Sequence, residues 1–309
     1  MTEYARKQTP LRRAWNHVKK NRLAFIFIAP TVISVALFLV FPIIKAVIMS
    51  FQYWNLSKPK PEGHYYYALK NYQAIFKDKY FSSSAVKTLI FIGVTVPIRY
   101  LIGLAAAVLM NKTFKGRGLV RAMVILPWAM PQVVASLIWI LMYDGQYGIL
   151  NHILMGLRLM DEPISFLVNK GYAFEATMLV TIWKGYPFIA IMLLAGLQSI
   201  PTEMGEACRV DGGNAWQEFI HITLPSLRPV SVVVMLLLII WTIRDFAIVY
   251  VLTGGGPAKG TEILTIYIYR MAFTNFQFGQ ACAAGTFMLI VALLFTVFYM
   301  KSTKGGEIE

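Results

Sequence analysis

Apolar residues run along this chain in six stretches, approximately 23–52, 82–110, 119–143, 176–198, 230–252 and 281–300, with polar segments between them. Crossing about 30 Å of hydrocarbon takes ~20 residues of helix at 1.5 Å each, so every run is long enough to span a bilayer. The first is uncharged from Leu23 through Ile44, and its apolar pattern continues past the weak cleavage-like tripeptide Ser34-Val35-Ala36. It is expected to be a retained anchor rather than a signal peptide. Prolines fall inside several runs: Pro30, Pro42, Pro97, Pro127, Pro131 and Pro187. Membrane bundles tolerate them because neighbouring helices and polar side chains satisfy the freed carbonyls, so kinked helices around a pathway are expected. The pattern predicts an all-α polytopic membrane protein with six transmembrane helices.

Composition agrees with the pattern. Of the 309 residues 57% are hydrophobic and 14% charged, which excludes a soluble enzyme and a disordered chain alike. Two cysteines, Cys208 and Cys282, build neither a disulfide framework nor a structural zinc site. The formal charge of +14 arises from 29 Lys and Arg against 15 Asp and Glu, an excess that in so apolar a chain sets membrane orientation rather than gripping nucleic acid. The N-tail carries seven basic residues, the 111–121 loop four, the 199–229 loop two and the C-tail two. The alternate loops 53–81, 144–175 and 253–280 carry five, two and two over a longer stretch. One plasma-membrane domain, 23–300, is therefore expected between cytoplasmic tails 1–22 and 301–309, with the 199–229 loop also cytoplasmic.

No pattern of catalytic residues emerges. Gly254-Gly255-Gly256-Pro257-Ala258-Lys259-Gly260-Thr261 lacks the Gly-Lys-[Ser/Thr] order of a P-loop. His17, His64, His152 and His221 have no ligand spacing, and neither Gly-x-Ser-x-Gly nor His-Glu-x-x-His occurs. The chain is expected to be no enzyme, to bind no metal and to hydrolyse no ATP by itself.

The 199–229 loop reads as a helix, a glycine turn and a second short helix. Pro201 suits a first helical position, Glu203 and Glu206 lie near the positive end of the helix dipole, and Asp211-Gly212-Gly213 supplies a left-handed stop. Trp216, Phe219, Ile220 and Ile222 then give an apolar face that so short a loop cannot bury alone, which implies a protein partner.

Glu206-Ala207-x-x-x-Asp211-Gly212 followed by Phe219-x-x-Ile222-x-Leu224-Pro225 resembles the EAA loop of binding-protein-dependent ABC importer permeases, which docks into a groove of the ATPase subunit. The family usually has alanine where this chain has Cys208 and Gly213, both also small. Further stretches resemble the carbohydrate permeases of the maltose, trehalose and glycerol-phosphate type. These are Asn71-Tyr72 with Ile75-Phe76, Phe114-x-Gly116-Arg117-Gly118 leading into Leu126-Pro127-Trp128 with Pro131, and Trp183-Lys184-Gly185 with Pro187. Leu197-Gln198-x-Ile200-Pro201 and Thr253-Gly254-Gly255-Gly256-Pro257 with Ile268-Tyr269-Arg270 complete the likeness, the glycine run favouring the first of two permease subunits. The resemblance implies the type I ABC importer permease fold and a saccharide or sugar-derivative substrate. It also implies a second permease subunit, an extracytoplasmic solute-binding protein, and two cytoplasmic ATPase subunits that bind the ATP and Mg. Glu206, Ala207, Asp211, Gly212, Phe219, Leu224 and Pro225 are then the ATPase-coupling residues.

Several charged residues lie inside or near the apolar runs. Lys45 and Lys87 sit where they can snorkel to headgroups, and Lys184 is expected to pair with carbonyls or a neighbouring helix. Arg99 and Arg244 stand where the resembled family usually has an uncharged residue, at a cost of about 2.5–3.5 kcal/mol each on insertion scales. One reading is an interhelical pair, or a local arrangement of Arg244 with Asp245; the other puts Arg244 on the translocation cavity, attracting an anionic sugar. Trp128, Trp139, Trp183, Tyr186 and Trp241 are candidates for a sugar-stacking surface, while Tyr143, Tyr147 and Tyr172 fit an interfacial belt. The candidate pathway is thus Arg99, Trp183, Tyr186, Arg244 and Asp245. Alternatives are a permease for a non-sugar solute, or an ion-coupled secondary transporter using Asp245, Arg99 and Arg244, for which no inverted repeat is visible.

Overall fold

The structure, a computed structural model, describes residues 22–304. The 1–22 tail expected in the cytoplasm lies, apart from Arg22, outside the described residues, as does 305–309. The chain opens with α1 (Arg22–Ser50), an antiparallel ribbon of β1 (Gln52–Tyr53) and β2 (Tyr65–Tyr66), α2 (Lys70–Lys77), α3 (Lys79–Asn111), α4 (Arg117–Ala129), α5 (Gln132–Met142) and α6 (Ile149–Gly156). It continues with α7 (Ala173–Gln198), α8 (Thr202–Val210), α9 (Ala215–Ser226), α10 (Arg228–Ile243), α11 (Ala247–Thr253), α12 (Leu264–Tyr269) and α13 (Phe278–Lys304). The ribbon, in register Gln52 to Tyr66 and Tyr53 to Tyr65, is a small addition to the all-α expectation.

Among the described residues α1, α3, α7 and α13 are each long and apolar enough to cross a membrane; the count reaches six if each of two bent helix pairs is one span. The third run is such a pair, α4 and α5 meeting at 99°. Its break falls at Met130, whose ψ of 142° is the extended geometry that a following proline, here Pro131, imposes on the residue before it. The fifth run, expected as one helix over 230–252, is not one helix. α10 ends at Ile243, the chain restarts as α11 after Arg244–Phe246, and at its other end α10 meets α9 at 64°.

Two wide turns share one cause. Phe41 N–H reaches Ala36 O just before Pro42, and Leu224 N–H reaches Phe219 O just before Pro225. A proline has no N–H to give the carbonyl four residues back, and widening the preceding turn keeps the rest of the helix paired.

α3 and α7 form the centre. A Cβ on Gly103 would stand 2.6 Å from Ile189 Cγ2, so only glycine lets the two backbones come this close. Val96, Leu104 and Ala107 of α3, Ile189, Leu193 and Leu197 of α7, and Val234 and Leu238 of α10 bury one another there. α5 and α11 close a second cluster on α7, where Tyr143 is buried and donates to the Ala176 carbonyl at 3.0 Å. Tyr143 is therefore core and not interfacial belt. Lys87 likewise does not snorkel: its Nζ donates to the Lys259 carbonyl at 2.9 Å, tying the 254–263 loop to the start of α3.

Candidate functional site

Arg99 lies about 18 Å along the axis from the C-terminal end of α3, and Lys184 about 21 Å from the C-terminal end of α7. Both face a cavity of about 500 Å³, lined also by Trp128, Phe188, Trp241, Arg244 and Asp245. That volume lies within the range of small-molecule sites.

Arg99 is only 5% exposed. Its Nη1 donates to Thr242 Oγ1 at 3.3 Å, while Nε and Nη2 are buried with no partner. Thr242 donates in turn to the Leu238 carbonyl at 2.6 Å. Gly185 makes the room, since a Cβ there would stand 2.8 Å from Arg99 Cδ. Asp245 Oδ1 is also buried without a partner, and no ion pair joins it to Arg99 or Arg244; the ion pairs of the described residues are Arg209–Glu218 and Arg270–Glu262. Buried charge held by so few hydrogen bonds is expensive, which marks this as a site rather than as packing.

Lys184 Nζ donates to the Trp128 carbonyl at 2.9 Å. That carbonyl belongs to the last turn of α4 and has lost its helical donor to the break at Met130. Arg244 is exposed in the α10–α11 break, and its side chain makes no hydrogen bond or ion pair among the described residues. Phe188 bridges Trp128 and Trp241 with ring centroids 5.9 and 4.8 Å away, giving one continuous aromatic wall.

Two candidate pathway residues stand elsewhere. Trp183 packs edge-on against Trp139 at 5.4 Å in the α5–α7–α11 cluster, and Tyr186 is not among the cavity-lining residues. On α7 the cavity takes Thr181, Lys184, Gly185 and Phe188. At 100° per residue these share one face, and Trp183 and Tyr186 fall about 150° from its centre. Phe188, Thr181 and Thr242 were not among the sequence candidates; the helical period counted from Lys184 marks the first two, while nothing local marks Thr242.

The other candidate region lies at the C-terminal ends of the same central helices. α8 and α9 border a groove with Asn111, Leu197 and Gln198. Pro201 precedes α8 with extended ψ of 133°, so the helix begins one residue later than expected. Gly212 has φ of +83° and open space around its Cβ position, so the turn needs glycine for its backbone alone. Asn214 starts α9 with a capping box, accepting from Trp216 and Gln217 N–H while Gln217 Oε1 accepts from Asn214 N–H. Glu206, Ala207, Asp211, Leu224 and Pro225 are exposed, and the Glu206 side chain makes no hydrogen bond or ion pair among the described residues. Trp216 is 67% exposed and stacks on Phe219 at 5.8 Å; Phe219 packs inward on the α3–α7–α10 core. That core includes Leu238, which also lines the cavity. An exposed apolar knob is thus joined by direct packing to the wall of the charged cavity.

Residues 99–302 match the family of binding-protein-dependent transport system inner membrane components. The chain is 34% identical over 284 residues to the trehalose/maltose transport system permease protein MalF of Thermococcus litoralis, covering 92% of this chain and 94% of the relative. It is 33% identical over 301 residues to the sulfoquinovosyl glycerol transport system permease protein SmoG of Agrobacterium fabrum, covering 97% and 96%. A chain of the crystal structure of a bacterial ABC transporter involved in the import of the acidic polysaccharide alginate matches with a TM-score of 0.78 at 24% identity, covering 96% of this chain and 99% of that one, and so has the same fold. The region matched to the family begins at Arg99 in the cavity wall and takes in the whole α8–α9 segment, and the chain belongs to the binding-protein-dependent transport system inner membrane components.

Proposed function

We propose that this chain is one of two permease subunits of an ATP-driven importer and gives a saccharide its path through the plasma membrane. The sugar arrives from an extracytoplasmic solute-binding protein and passes the cavity bounded by Arg99, Lys184, Trp128 and Trp241. Of two cytoplasmic ATPase subunits, which bind the ATP and Mg, one docks on α8 and α9. Glu206 meets a basic group of the ATPase in a charge-assisted contact, Gly212 lets the chain reverse, and Trp216 with Leu224 and Pro225 fills an apolar hollow. Closure of the ATPases then moves α9, and the packing of Phe219 carries the movement to α3, α7 and α10.

The observation that carries this reading is the continuity from exposed Trp216 through Phe219 to the core containing Leu238. The sugar class is supported by relatives named for trehalose/maltose and sulfoquinovosyl glycerol transport. The distribution of basic residues supports a cytoplasmic position for both termini and the α8–α9 segment.

Reconstitution of both permeases with the ATPases and the binding protein tests the proposal. Uptake of the sugar that co-purifies with the binding protein should require internal or external ATP on the ATPase side and stop on addition of vanadate. Uptake driven by an ion gradient in vesicles lacking the ATPases would overturn it.

A further inference from the structure

The charges around the cavity do not balance. Three cations, Arg99, Lys184 and Arg244, face one carboxylate, Asp245. Lys184 is committed to the Trp128 carbonyl and Arg99 to Thr242, both neutral acceptors, and Arg99 senses Asp245 without forming an ion pair with it, so the lining keeps an excess of positive charge. Arg99 Nε and Nη2 lie beneath the cavity surface and act there as field rather than contact. Arg244 is the group at the opening, exposed and with no partner for its guanidinium among the described residues. A low-dielectric wall strengthens such a field, and a net positive cleft concentrates anions. The aromatic wall of Trp128, Phe188 and Trp241 offers the flat apolar surface on which the ring face of a sugar packs.

We propose that the cavity selects a saccharide bearing an anionic group, a carboxylate, sulfonate or phosphate, gripped by Arg244 while its ring lies on the aromatic wall. This rests on the cavity being the sugar path. A guanidinium presents parallel N–H donors that match the two oxygens of such a group, and an exposed, unpartnered arginine sacrifices no existing bond to do so. The buried Arg99 and Lys184 lower the energy of the bound anion without touching it, and Asp245 keeps the empty cavity from holding three uncompensated cations.

The test uses the purified complex of both permeases and both ATPases without the binding protein, so that the binding protein's own specificity plays no part. Saturation-transfer NMR titrations compare a disaccharide ending in glucuronate with its neutral glucose counterpart. The acidic sugar should bind about tenfold more tightly, and Arg244→Gln should remove that preference so that the two sugars bind alike, as expected for loss of one charge-assisted contact. Arg244→Lys should retain part of the preference. Co-purification of the ATPases shows that the variants assemble. Equal binding of the two sugars, or an acidic preference that survives Arg244→Gln, overturns the anionic selectivity and leaves the sugar path standing. Failure of both sugars to bind overturns the path itself.

Discussion

Lys184 closes a gap that the fold opens. The bend at Met130 strands the Trp128 carbonyl, and the ammonium replaces the missing helical donor at 2.9 Å. Lys184→Met should leave that carbonyl unpaired next to the cavity, at a cost of about 1–3 kcal/mol, and Lys184→Arg should restore most of it. The thermal midpoint of the detergent-solubilised complex checks this: equal midpoints for the methionine variant and the parent would show that the bond stabilises nothing. The charge of Lys184 was legible in the sequence, and so was its pairing with a carbonyl, because a lysine within an apolar run must find an acceptor. Arg99 and Arg244 were legible for the same reason. Their partners were not, since Thr242 is an unremarkable threonine until α10 packs beside α3. Trp183 shows the opposite failure: it is a candidate for a sugar-stacking surface as an aromatic residue in an apolar run, but the helical period turns it away from the α7 face that lines the cavity.

At the scale of elements, local chemistry read well where backbone geometry is set by one residue. The α8 stop at Gly212, with φ of +83°, follows from an Asp-Gly-Gly sequence. Breaks set by a proline were harder to place. Of the prolines inside apolar runs, Pro131 breaks its helix, whereas Pro97, Pro127 and Pro187 stay inside theirs. The break between α10 and α11 has no proline at all, and there Thr265 Oγ1 donates to the Asp245 carbonyl at 2.6 Å, a contact 20 residues away in sequence. Because Gly212 has open space around it, its replacement costs only backbone strain, about 1–3 kcal/mol for a β-branched residue. Gly212→Val should therefore weaken ATPase docking and uncouple hydrolysis from uptake, while Gly212→Asn, which tolerates the left-handed region, should be milder. Glu206→Ala should uncouple in the same way without strain. ATPase activity stimulated by liganded binding protein, with ATPase co-purification as control, is the measurement. Full stimulation and full uptake in both Gly212→Val and Glu206→Ala would remove α8 and α9 from the coupling role.

For the whole molecule, α3 fixes more than any charge count can. Its 33 residues span about 50 Å, well beyond the hydrocarbon thickness of ~30 Å, so its two ends must lie on opposite sides of the membrane. The β1–β2 ribbon belongs to the N-terminal end, through Leu56 N–H on the Phe276 carbonyl and Tyr267 on Asp78 just before α3. The 111–116 turn and the α8–α9 groove belong to the C-terminal end. Packing therefore says that Gly63 and Lys115 are on different sides, and the distribution of basic residues supports the proposal that Lys115 is on the cytoplasmic one. The two statements fail separately. In a chain carrying Cys208→Ala and Cys282→Ala, a cysteine at position 63 should react with an impermeant maleimide in intact cells, and a cysteine at position 115 only after permeabilisation. Labelling of position 115 alone in intact cells would reverse the orientation and leave the fold intact, moving the ATPase docking site to the wrong face and with it the proposed coupling. Labelling of both would contradict α3 as a single crossing, on which the depth of Arg99, the cavity and its separation from Glu206 all depend.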